Sequence, residues 1–141
     1  MIESINELQQ EVAIGSNVLF SDDVLRTRCA NCCGFLEHEE GSGLFTLTKC
    51  GIYEILFRAN ITSATAGEEL SFVITVNGEP VTGTQIDETI ATADANTGVS
   101  TFRLVRVCGD SAKTISIRNN SVTNTTPALV ENANIIIKKI A

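Results

Sequence analysis

From about residue 16 onward, apolar and polar positions alternate with the period of a β-strand. β-branched and aromatic runs of strand length recur at short intervals, separated by Gly, Asn, Asp and Thr. This predicts strands at 17–20, 34–38, 44–47, 53–62, 70–76, 99–107, 114–118 and 134–140, with 26–30 and 81–85 as further candidates. Asn77-Gly78 separates two of these runs, and Asn-Gly is the strongest short signal for a two-residue hairpin turn. The stretch 87–97 is polar, Ala- and Thr-rich, and predicts a long loop. No helix-length periodic segment interrupts the strands, which excludes a parallel α/β sheet and predicts an all-β sandwich or barrel.

The first residues carry a different period. Ile2, Ile5, Leu8 and Val12 fall at helical spacing and form one apolar stripe, with Glu3, Glu7 and Glu11 on other faces. A helix this short does not hold its shape alone in water. The segment therefore reads either as a frayed tail or as a helical or extended tether whose stripe packs on copies of itself or on a partner. Gly15-Ser16 can serve as the hinge, which divides the chain into a tether at 1–14 and a β-domain at 15–141.

The strands are of two kinds. Leu70, Phe72 and Ile74 alternate with Ser71 and Thr75, and Ile115 and Ile117 alternate with Thr114, Ser116 and Arg118. These have one dry and one wet face. Three others are apolar on both faces. Tyr53, Ile55, Phe57, Ala59 and Ile61 stand opposite Ile52 and Leu56, which share their face with Glu54 and Arg58. Val105 and Val107 oppose Phe102 and Leu104, and Ile135 and Ile137 oppose Ile136 and Ile140. If these three share a sheet, its outer face is apolar, and such a patch marks an interface. The expected cover is a second copy of the chain, through Ile52, Leu56, Arg58, Phe102, Leu104, Ile136 and Ile140.

Composition narrows the classes. The chain has 141 residues, 43% hydrophobic and 19% charged, which suits one domain with a core of its own. A formal net charge of −7 argues against nucleic acid as a partner. No apolar run approaches the ~20 residues of a membrane helix, so no membrane insertion is expected. Residues 1–10 carry acids and no apolar run, so they do not read as a secretory signal.

Candidate chemistry is sparse. Cys29, Cys32 and Cys33 form a Cys-x-x-Cys-Cys cluster, which is half of a tetrahedral zinc set. Cys50 and Cys108 stand alone in sequence, each beside a Gly, so the thiols read as small, partly buried hydrophobes, and no metal or other cofactor is expected. A disulfide formed outside the cell is the remaining reading, with no pairing implied. His38, flanked by Glu37, Glu39 and Glu40 and followed by Gly41-Ser42-Gly43, reads as part of a solvated loop rather than as a base. Asp22-Asp23, Asp87-Glu88 and Asp94 lack the spacing of a calcium loop and read as surface charge. There is no phosphate-binding loop, nucleophile elbow or zinc-protease motif, so no catalytic residues are assigned.

Leu44-Phe45-Thr46-Leu47 followed by Cys50-Gly51-Ile52-Tyr53-Glu54-Ile55-Leu56-Phe57 resembles the Gly-x-Tyr segment of the tumour-necrosis-factor and complement-globular-head jelly rolls. The order of the other strands over 15–141 is similar to theirs. The same pattern resembles small jelly rolls of bacteria and their phages, which serve as capsid-decorating or head-fibre proteins and as spore-surface tips. The chain departs from the spore tips in having no Gly-x-y repeat.

The resemblance implies a jelly-roll β-sandwich whose Tyr-strand sheet faces a three-fold axis. With the doubly apolar strands, this gives the expected function: a non-enzymatic homotrimer displayed on a virion surface, its N-terminus holding a capsid or other surface-assembly protein. The alternative is an adhesion tip, on a virion, spore or cell surface, that binds a receptor or a host-surface glycan.

Overall fold

The structure, a computed structural model, describes residues 1–27, 34–109, 111–123 and 126–141. The described residues form strands and turns and no helix. In chain order the strands are β1 (Ile2–Asn6), β2 (Gln10–Val12), β3 (Asp22–Arg26), β4 (Leu36–His38), β5 (Phe45–Leu47), β6 (Gly51–Thr62), β7 (Glu69–Val76), β8 (Glu79–Pro80), β9 (Ile86–Thr89), β10 (Thr97–Val107), β11 (Lys113–Asn119) and β12 (Ala128–Lys139).

They build two antiparallel sheets. The first has the order β10-β6-β12-β1-β3, with β2 also pairing β12. The second has the order β4-β5-β11-β7-β8, with β9 also pairing β7. The inner faces close on one core. Tyr53, Ile55, Phe57, Val105, Ile135 and Ile137 of the first sheet meet Phe45, Leu47, Leu70, Phe72, Ile74, Ile115 and Ile117 of the second. Phe20 lies edge-on to Phe45 at 5.5 Å and to Phe57 at 6.4 Å, the contact geometry that aromatic quadrupoles favour. Tyr53 is buried, and its hydroxyl donates to the Lys49 carbonyl at 2.8 Å. Burial pushes its phenol above the usual range.

The sandwich bears out the all-β jelly-roll expectation, and the hairpin at Asn77-Gly78 forms as the dipeptide implies. Val76 pairs Glu79 across it, and Asn77 and Gly78 take φ angles of 52° and 81°, the left-handed pair of a type I′ turn. The predicted strand at 17–20 is an extended segment instead. It bridges Arg118 through Asn17, and the Val18 amide donates to the Ile117 carbonyl at 2.8 Å. The stretch 81–85 is a turn between β8 and β9, and β9 occupies the start of the expected loop. Of the 26–30 candidate, residues 28–30 lie outside the described residues.

The N-terminus departs most from its sequence reading. Residues 2–6 and 10–12 are strands of the first sheet, not a helix or a tether. β1 pairs β12 from Ile2↔Ile137 to Asn6↔Ala133, and β2 continues along it from Gln10↔Val130 to Val12↔Ala128. Ile2 and Val12 are in the core, Ile5 is half-buried, and Leu8 is 78% exposed in the turn between the strands. The helical spacing of these four residues is coincidental. A short helix would bury little, whereas the strand satisfies its backbone on β12 and hides Ile2 and Val12. The boundary at 14/15 therefore does not separate a free segment from the jelly roll.

The second sheet's outer face also differs. Ser71, Thr75 and Ser116 were expected to face water, yet all three are buried. Their small hydroxyls pair with neighbours: Thr75 with Ser116 at 2.5 Å, and Ser71 with Asp87. Polar residues can line a covered face when each hydroxyl finds a partner there.

Candidate interaction face

The three doubly apolar strands are adjacent: β10, β6 and β12 stand side by side at one end of the first sheet. Their registers then align the outward side chains into rows. Phe102 pairs Leu56, and Leu56 pairs Ile136. The row runs on through Glu3 of β1 to Leu25 of β3, so it crosses the whole sheet. Phe102 is 51% exposed, Leu104 47%, Ile140 44% and Leu56 38%, while Ile52 and Ile136 are half-buried. Ile140 joins the patch at its end, where its amide donates to the Ile52 carbonyl at 2.8 Å.

Charge crosses this patch as well as bordering it, since Glu54 and Lys138 stand between the row of Leu56 and the row of Ile52. Glu54 pairs Lys138 in register, Arg106 pairs Ile52, and Arg58 lies between Ser100 and Asn134. The Asn134 amide donates to Glu3 at 2.8 Å. A bulge in β12 between Glu131 and Asn134, with Asn132 at a φ of 50°, leaves a groove of about 390 Å³ beside Arg58, Asn60 and Ser100.

All seven residues expected at the interface thus share one face. The part the sequence reading missed is Leu25, 41% exposed, which a strand with three charges in five residues does not advertise. Both edges of the sheet carry charge. On β10, Arg103 stands at an inward position yet is exposed, and β3 carries Asp22 and Arg26. Charged edges discourage strand-on-strand pairing, which leaves the flat face as the surface suited to packing.

Two sequence readings on chemistry are corrected. His38 is not solvated: its side chain is fully buried, and its ring stacks on Phe45 with centroids 4.1 Å apart. Asp23 is not surface charge. Its carboxylate accepts from His38 Nδ1 at 2.7 Å and from the Ser4 hydroxyl, with Arg26 at 3.7 Å. His38 Nε2 faces the Ser42 carbonyl at 3.1 Å, so both ring nitrogens are engaged. The serine here bonds to the aspartate and not to the histidine, so this is no nucleophile–base pair. Cys50 and Cys108 are exposed free thiols rather than partly buried ones. Cys29, Cys32 and Cys33, the weak zinc candidates, lie outside the described residues. No group of metal-ligating side chains occurs among the described residues.

The sandwich is a jelly roll of the tumour-necrosis-factor and complement 1q type. The globular domain of zebrafish complement 1qA protein matches 99% of this chain and 96% of its own, with a TM-score of 0.66 at 15% identity. Murine APRIL matches 99% of this chain and 97% of its own, with a TM-score of 0.59 at 13% identity. At such identities the likeness is one of fold. No protein-family model and no curated protein matches the chain.

Proposed function

We propose that the chain is a non-enzymatic structural protein that assembles as a homotrimer through the outer face of its first sheet. The observation that carries this is the outward row of exposed Phe102 and Leu56 and half-buried Ile136, with the exposed neighbours Leu104 and Ile140. Apolar side chains aligned across three strands lose contact with water only when another surface covers them. A closed ring of copies covers every face at once. The occupied ring nitrogens of His38, the chain's one histidine, remove the most obvious general base and support the non-enzymatic reading.

The trimer is displayed on a larger assembly, a bacteriophage capsid that it decorates or extends as a head fibre. The pattern from Phe45 to Phe57, similar to that of small phage jelly rolls, supports this assignment. Since Ile2 and Val12 are core residues, the contact with the capsid is made by the folded domain's surface rather than by residues 1–14 as a free arm.

Sedimentation equilibrium tests the assembly. The wild-type chain is expected at three times its 15.1 kDa mass, and Leu56→Asp at one. A monomeric wild type defeats the proposal. Antibody raised against the chain should label the surface of intact capsids. Labelling confined to material free of capsids defeats the phage assignment while leaving the trimer standing.

A further inference from the structure

The β6–β10 ladder ends at Gly51 opposite Val107. One residue further in each direction stand Cys50 and Cys108, both exposed and both free thiols. Distant in sequence, they are brought by the register to the same end of the same strand pair. Opposed Cα atoms in an antiparallel pair lie roughly 4.5–5.5 Å apart. Disulfides span about 4.4–6.8 Å between Cα atoms.

The backbone around Cys50 is held on both sides. The Tyr53 hydroxyl bonds the Lys49 carbonyl at 2.8 Å, and the Ile52 amide donates to the Ala141 carbonyl at 2.9 Å. After Cys108, Gly109 at a φ of 70° turns the chain away.

We propose that Cys50 and Cys108 form a redox-controlled clasp that closes as a disulfide and pins the end of edge strand β10. The oxidant is a small-molecule disulfide, with oxidised glutathione as the probe. One protein thiolate attacks a sulfur of the probe and releases one glutathione thiolate, leaving a mixed disulfide. The second protein thiolate then attacks the protein sulfur of that mixed disulfide and releases the second glutathione. Two protein thiols become one disulfide, one probe disulfide becomes two thiols, and the protons pass to the glutathione. β10 carries Phe102 and Leu104, so the clasp steadies one border of the apolar face. The inference rests on the strand register and is independent of the oligomeric state.

The test treats the full chain with oxidised glutathione, blocks remaining thiols and maps the peptides. The expected product has lost two hydrogens and joins the Cys50 peptide to the Cys108 peptide. The clasp should raise the melting temperature by something on the order of 10 °C, since it closes a long loop of the unfolded chain. The rise should vanish in Cys50→Ser and in Cys108→Ser. A chain carrying Cys29→Ser, Cys32→Ser and Cys33→Ser should still form the link. The proposal is overturned if both thiols stay open to alkylation or stop at glutathione adducts. It is equally overturned if either links to Cys29, Cys32, Cys33 or another chain, or if bound zinc holds them.

Discussion

Asp23 and His38 join the two sheets at their margin, carboxylate to ring nitrogen at 2.7 Å, with the imidazole buried against Phe45. Asp23 belongs to β3, the edge of the first sheet, and His38 to β4, the edge of the second. The pair thus closes the sandwich on a side where, among the described residues, no strand pairing joins one sheet to the other. Arg26 reinforces the closure by donating to the His38 carbonyl at 3.3 Å.

Removing the imidazole should therefore open this margin. His38→Ala leaves the Asp23 carboxylate short of a donor in a mostly buried site, and it strips a ring from Phe45. The expected loss is about 2 kcal/mol, the scale of a hydrogen bond to a charged partner. Urea denaturation followed by fluorescence or circular dichroism measures it. A midpoint within error of wild type would show that the contact contributes nothing.

The N-terminal strand should be indispensable to the domain. Ile2→Ala removes a fully buried side chain where β1 meets β12, and such truncations cost about 2–5 kcal/mol. Deleting 1–14 removes both strands that pair that edge of β12 and should leave a chain that aggregates or melts near room temperature. Thermal melting of the two variants decides it. A truncated chain that melts like wild type would restore the independent-tether reading.

Thr62 offers a change in the opposite direction. Its hydroxyl is buried and finds no hydrogen-bond partner among the described residues. Val has the same branched shape without the oxygen that must be desolvated. Thr62→Val should be neutral or stabilising by up to about 1 kcal/mol, read as an upward shift of the denaturation midpoint. A clear loss of stability would mean that the hydroxyl has a partner in the folded protein.

The sequence alone determined the all-β class, the hairpin at Asn77-Gly78 and the shared face of Ile52, Leu56, Phe102, Leu104, Ile136 and Ile140. Those features are local: alternation with a period of two assigns each side chain to a face, and a two-residue turn depends on the angles of its own residues. Tertiary structure decided the rest, because each remaining feature depends on what lies opposite in space. Ile2, Ile5, Leu8 and Val12 read as a helix until β12 is present to pair them, and pairing overrides a weak helical period. His38 reads as solvated beside three glutamates, but Asp23 arrives from another strand and the Phe45 ring lies beneath. Cys50 and Cys108 read as isolated until the β6–β10 register brings them to the same end of one strand pair. Local pattern tells which way a side chain points; only the pairing of distant strands supplies the group it points at.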